Sequence, residues 1–205
     1  MVRVERISGL DVKLGGEPWD FATAERARID AYWQRVVRDR PFLWNGQILM
    51  CTRAEAGNGL LSARFALTDY ASFVAWRDWG WPDREVRSCF AVPAVISADG
   101  ALLMGVMGKQ TLNVGKSYPP SGSLEPRDVQ GDGTIDLRAS MVTELREETG
   151  LDLDQAEAGE TIAIFEGQRL AVVQRHDHPL TFPEMEQVFL RHKALAEEQE
   201  LSHVT

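Results

Sequence analysis

Apolar residues recur along this chain in two rhythms, and the switches between them mark most of the expected elements. Between positions 21 and 38, Ile29, Tyr32, Trp33, Val36 and Val37 return at helical intervals, which predicts one amphipathic helix closed by Pro41. Residues 47–52 and 60–67 read as two strands around Gly57-Asn58-Gly59, a hairpin-like connection. Thr68-Asp69 opens a short predicted helix carrying Tyr70, Phe73, Val74 and Trp76. The indoles of Trp76, Trp79 and Trp81 are suited either to covering a sheet or to meeting a sugar or base.

A second series follows. Residues 90–96 and 101–107 are apolar strand candidates joined by Ser97-Ala98-Asp99-Gly100, a turn signal. A further strand is expected through Leu112 and Val114 towards Tyr118. Next come a helix with Asp136 as its N-cap, and strands at 161–165 and 169–174. Arg175-His176-Asp177-His178 reads as a polar turn before Pro179 rather than a metal site, because no further ligand stands at metal spacing. Phe182-Pro183-Glu184-Met185-Glu186 reads as a loop with exposed acids, and no closing helix or strand is legible after Leu190, although residues 193–200 favour helix. The order suggests an N-terminal α+β extension over residues 1–87 and a second domain over 88–205, of α/β (α+β) class.

Chemistry concentrates in Thr143-Glu144-Leu145-Arg146-Glu147-Glu148-Thr149-Gly150-Leu151. On a helix, Glu144, Glu147 and Glu148 lie within one turn of each other, so their carboxylates repel by a few tenths of a kcal/mol or more per pair unless something neutralises them. A hard divalent cation does so, since Mg²⁺ takes oxygen ligands and keeps several waters. Gly150 supplies the left-handed stop.

This segment resembles the second half of the Nudix signature, G-x5-E-x7-R-E-U-x-E-E-x-G-U with U a bulky aliphatic. Glu144, Leu145, Glu147, Glu148, Gly150 and Leu151 fall on its fixed positions, and Thr143 stands where the family has arginine. Pro120-Ser121-Gly122 resembles the family's proline-glycine lead-in, but Gly122 lies 21 positions before Thr143, seven more than the signature spacing. The stretch Arg127-Asp128-Val129-Gln130-Gly131-Asp132-Gly133 has the polar, glycine-bearing composition of an inserted surface loop. Counted back from the helix, the family's first glutamate falls on Ile135. Phe42-Leu43-Trp44-Asn45-Gly46 and Leu67-Thr68-Asp69-Tyr70-Ala71-Ser72-Phe73 are similar to the extension of the Nudix subgroup that includes the UDP-glucose and UDP-galactose hydrolase.

The resemblance implies an α/β/α sandwich around a mixed sheet. It also implies Mg²⁺- or Mn²⁺-dependent hydrolysis of a nucleoside diphosphate linked to another moiety, such as UDP-glucose or ADP-ribose. Glu144 and Glu148 are the implied metal ligands and Glu147 the third. Lys109, Lys116 and Tyr118 are candidates for phosphate and base contacts, and Glu184 and Glu186 for a further acid or base. Without the arginine, bracing of the glutamates falls to another cation such as Arg146 or Arg138, or metal affinity drops. A nucleotide-binding module with little turnover is the rival reading; the retained carboxylate face favours the enzyme.

Composition narrows the partners. A chain of 205 residues with net charge −9 does not build a nucleic-acid surface on bulk electrostatics. Cys51 and Cys89 are too few for a disulfide framework and read as free thiols. No stretch reaches the length of a membrane span and the first residues lack a secretory apolar run, so a cytoplasmic location is expected. A homodimer stays open as an oligomeric state.

Overall fold

In a computed structural model that describes residues 1–109, 111, 113–195 and 200–205, the chain forms two compact units. The first comprises Met1–Phe90, Ser123–Leu137 and Ala163–Ala171, and the second Ala91–Gly122, Arg138–Ile162 and Val172–Thr205. The elements run β1 (Val2–Ile7), β2 (Gly9–Leu14), α1 (Asp20–Ala24), α2 (Arg26–Asp39), β3 (Gln47–Gly57), β4 (Leu60–Asp69), α3 (Tyr70–Asp78), β5 (Ser88–Ile96), β6 (Gly105–Met107), β7 (Ser117–Tyr118), α4 (Leu137–Thr149), β8 (Glu157–Glu166), β9 (Arg169–Asp177), α5 (Phe182–Leu195) and β10 (Leu201–Val204). Helices mixed with parallel and antiparallel strands give the expected α/β class. One sheet has the order β1-β8-β9-β5.

In the first unit, β3 and β4 form the expected hairpin, turned by Asn58 and Gly59 with φ of 51° and 77°. Such positive angles suit asparagine and glycine. The strand β2 lies parallel to β4, from Gly9 opposite Leu60 to Leu14 opposite Phe65. Trp19, Ile48, Met50, Ala66, Trp76 and Val86 form a buried cluster. Asp83 satisfies both indole donors, its carboxylate accepting from Trp19 Nε1 at 2.9 Å and its carbonyl from Trp76 Nε1 at 2.8 Å. Trp76 is therefore a core residue, and Trp81 packs edge-on against it at 4.4 Å between ring centres. The single helix expected over 21–38 breaks at Glu25, whose backbone leaves the helical range. The break coincides with Phe21 turning onto Trp19 and Trp79.

Asn45, Gly46 and Asp69, which carry the resemblance of the extension, all serve the start of α3. Asp69 accepts from the Ser72 amide at 2.8 Å, Asn45 Oδ1 from the Ala71 amide at 2.7 Å, and the Gly46 carbonyl from the Tyr70 amide at 2.9 Å. These bonds satisfy amides that a helix N-terminus leaves without intrahelical acceptors.

The inserted stretch is less loop-like than its composition predicts. Leu14 donates to the Gly133 carbonyl and Ile135 to the Val12 carbonyl, each at 2.9 Å, and Val129 bridges Ile135. Ile135 is 3% exposed. The position that spacing aligns with a glutamate thus belongs to the core of the first unit.

The second unit corrects several expectations. The strand expected over 101–107 shortens to Gly105–Met107, which pairs with β10 and β7 in the order β10-β6-β7. Val114 sits in a turn, only Ser117–Tyr118 is extended, and Leu112 lies outside the described residues. Arg175, His176 and Asp177 end strand β9 instead of forming a polar turn, and His176 and His178 are buried. A closing helix and strand do exist: α5 covers the segment read as a loop, and β10 follows it, Ala196–Gln199 lying outside the described residues. Pro183 is accommodated because proline is tolerated in a first helical turn. Glu184 Oε2 accepts from the Thr181 amide at 2.8 Å, as in a capping box, while Met185 and Phe189 bury one face.

Placing the signature's missing glutamate back at position 135 is expected to fail. Ile135→Glu would bury an unpaired carboxylate and should lower stability by about 3 kcal/mol or more, without tightening Mn²⁺ binding. Denaturant titration alongside Mn²⁺ titration checks this; a stable variant with tighter Mn²⁺ binding would contradict it.

Candidate functional site

Helix α4 presents two faces at the same helical spacing. Met141 and Leu145, four apart, are 2% and 0% exposed and anchor it in the core. Glu144 and Glu148, also four apart, are each only 9% exposed, whereas Glu147 faces solvent. The helix stops at Gly150, with φ of 75° and its amide bonded to the Arg146 carbonyl at 2.9 Å. A Cβ there would meet His192 Cβ at 2.6 Å, and His192 Nε2 lies 2.9 Å from the Glu147 carbonyl. The end of α4 is therefore clasped by α5.

The lead-in segment meets this face despite its unusual distance in sequence. A Cβ on Gly122 would fall 2.2 Å from Glu144 Oε2, so the carboxylate occupies the space that any other residue would fill. The Ser121 amide donates to Glu148, whose Oε2 is buried without a hydrogen-bond partner. Burial first, then the negative charges of Glu200 and Glu144, push the Glu148 carboxyl up to about 9 against the opposing Ser121 bond.

Tyr118 belongs to the same neighbourhood. Burial raises its phenol, and Glu148 and Glu200 add to the rise, while Asn113 opposes it by donating to the hydroxyl at 3.2 Å. Lys116 Nζ donates in turn to Asn113 Oδ1 at 3.3 Å. Lys109 is exposed. Glu184 is engaged in the cap of α5 and Glu186 is exposed on that helix. Neither arginine considered as a substitute brace is directed that way: Arg138 pairs with Asp154 at 2.7 Å and Arg146 with Asp152 at 3.6 Å.

Two participants escaped the sequence reading, the Ser121 amide and Glu200. No local pattern flags a backbone donor. Glu200, whose charge acts on Glu148 and Tyr118, sits at the end of a helix-favouring run.

Among the described residues, no group of three or more His, Cys, Asp or Glu side chains is drawn together as a complete ligand set. Mg²⁺ does not require one, since it is commonly held through one or two carboxylates, waters and substrate phosphates. A buried carboxylate oxygen without a partner, beside a second carboxylate, is a group that a hard cation would satisfy. The donor set fits such an ion.

The Glu148 shift fixes a sign for stability. Its folded value of about 9 lies above the ordinary 4.5, so between these limits the unfolded chain releases a proton that the folded chain keeps. The contribution is fully present below pH 4.5 and is lost as pH rises through 9. Metal-free Glu148→Gln should therefore overtake the parent protein as pH rises from 5 to 8, with a difference growing by at most about 1.4 kcal/mol per pH unit. Urea denaturation in chelator measures it; parallel curves for the two proteins would contradict the assignment.

No family model and no curated protein matches the chain. Among solved structures it is similar to the MutT protein from Methanosarcina mazei Go1, with 15% identity and a TM-score of 0.36 over 58% of this chain and 75% of that one. It is also similar to a Nudix hydrolase from M. smegmatis, RenU, with 12% identity and a TM-score of 0.33 over 57% of this chain and 66% of that one.

Proposed function

We propose that the protein is a Nudix-type pyrophosphohydrolase that cleaves a nucleoside diphosphate linked to another moiety, most favourably a nucleotide-sugar such as UDP-glucose or ADP-ribose. The observation that carries this reading is the pair Glu144 and Glu148, nearly buried against Gly122 and Ser121, with one Glu148 oxygen left without a partner. Repulsion of this kind has no evident use in a purely structural helix.

In the proposed site, Glu144 and Glu148 hold a magnesium or manganese ion, which when bound supplies charge neutralisation for the diphosphate and an acidified water. Gly122 leaves room for the Glu144 carboxylate, and the Ser121 amide orients that of Glu148. Lys116, beside Asn113, meets phosphate as a point charge, and Tyr118 offers its ring to a base. Lys109 and the exposed Glu147 and Glu186 contribute from the rim. Positioning and charge stabilisation carry most of phosphoryl-transfer catalysis, so such a constellation suffices without a covalent intermediate.

Ile135 in the core and Thr143 in place of arginine favour a second reading, a nucleotide-binding module with little turnover. One experiment separates the two. Incubation with UDP-glucose, UDP-galactose, ADP-ribose, NADH and diadenosine polyphosphates, with and without Mg²⁺, should yield nucleoside monophosphate from at least one substrate. Glu148→Gln should lower the rate by about a hundredfold or more, the scale of a lost charge-stabilising group. Ligand binding without product under all conditions would replace the hydrolase with the binding module.

Thr143 supplies a graded test. Thr143→Arg should restore a bidentate brace for the glutamates and shift half-maximal Mg²⁺ activation several-fold lower, on the order of the 1–2 kcal/mol of a charge-assisted bond. An unchanged metal titration would exclude that role.

A further inference from the structure

We infer that Asn113 is a positioning residue for the diphosphate of the substrate, holding Lys116 and Tyr118 side by side as a two-donor clip on the β6–β7 hairpin. The inference rests on the hydrolase reading above and deepens it. The turn that carries the clip is pinned to its neighbour strand. The Lys116 amide donates to the Asn113 carbonyl at 3.0 Å, and the Gly115 amide to the Met107 carbonyl at 3.0 Å, with Gly115 at a left-handed φ of 73°. Lys116 stands directly before β7, two positions from Tyr118, so both side chains leave the same face of the hairpin. Strand β7 then leads into the segment whose Gly122, four positions after Tyr118, lies against the Glu144 carboxylate.

The polarity of the hydrogen bonds gives the clip its use. Lys116 Nζ donates to Asn113 Oδ1 at 3.3 Å, which turns the amide nitrogen of Asn113 towards the Tyr118 hydroxyl, to which it donates at 3.2 Å. The phenol oxygen is thereby the acceptor, and its own proton is left for another partner. The ammonium is held in the same way by a neutral oxygen, although the chain as a whole carries net charge −9. An amide orients that charge without cancelling it, whereas a carboxylate would do both. An uncancelled cation beside an available O–H donor, on one face, suits the oxygens of a diphosphate. The face of the Tyr118 ring stays available to a base.

Calorimetric binding of the α,β-methylene analogues of UDP and ADP, which resist cleavage, tests the clip in the full chain with Mg²⁺ present. Asn113→Ala, Lys116→Met and Tyr118→Phe should each weaken binding about fivefold, the worth of one net hydrogen bond. Ser117→Ala, on the opposite face, should stay within about twofold of the parent protein. Adding Tyr118→Phe to Asn113→Ala should cost less than about twofold more, because the two changes remove one arrangement. Asn113→Asp should bind more weakly than Asn113→Ala, since its carboxylate cancels Lys116 and takes the Tyr118 proton. A residue that only shaped the turn would give the reverse order, because aspartate suits turns. Parent-like binding by Asn113→Asp, or full additivity of the Asn113 and Tyr118 changes, would overturn the positioning role and leave the hydrolase reading to the Glu148→Gln assay. Absence of analogue binding by the parent protein, together with absence of product from the substrate panel, would overturn both.

Discussion

A carboxylate inside a protein is tolerable only if it keeps its proton or finds a counter-charge, and Glu148, pushed up to about 9, meets that condition near neutral pH by keeping its proton. Its side chain is nearly buried, one oxygen has no partner, and the closest charges that act on it are negative. The single opposing influence is the amide of Ser121. The rest of the second unit can be read as the structure needed to keep this group where it is. Met141 and Leu145 fix the rotation of α4 in the core, Gly150 and His192 fix its end, and Gly122 leaves the space that Glu144 fills.

This arrangement explains why the lead-in survives a longer tether. Here the added residues, instead of hanging as a free loop, pair with Val12 and Leu14 in the first unit, and Gly122 still meets Glu144 within the second. Contact in space is kept while register in sequence is lost. Ile135 illustrates the same point from the other side, since linear counting aligns it with a ligand and strand pairing makes it core.

What was legible in the sequence was local. The glutamate helix, its glycine stop, the hairpin around Asn58 and the turn at Gly100 depend on spacing and backbone preference within a few residues, and each is present. The misses have nonlocal or competing causes. Strands β1 and β2 were missed although Val2 and Val4, and Leu10, Val12 and Leu14, alternate with polar residues, and the place of β2 is set by a partner far along the chain. His176 in β9 and His178 just after it read as polar although both are buried. At α5, the Thr181–Glu184 capping pattern that the structure uses went unread, and the segment was expected as a loop. Glu200, whose charge helps raise Glu148, belongs to no motif legible in the sequence.

The altered signature positions have a common energetic consequence on the proposed reading. With a core isoleucine at position 135 and no arginine at 143, fewer protein groups are left to hold a cation and to brace those that do. Magnesium gives up its waters reluctantly and draws part of its coordination from substrate phosphates, so a site with few protein ligands binds ion and diphosphate interdependently. Interdependence of that kind is reciprocal: whatever the diphosphate adds to ion affinity, the ion adds to diphosphate affinity. A site of this type gains ion affinity when substrate arrives, and in the resting protein the proton on Glu148 fills the role of the missing charge. Loading the site requires that proton to leave. The same buried, repulsive environment that raises its affinity therefore ties metal occupancy to pH as well as to substrate.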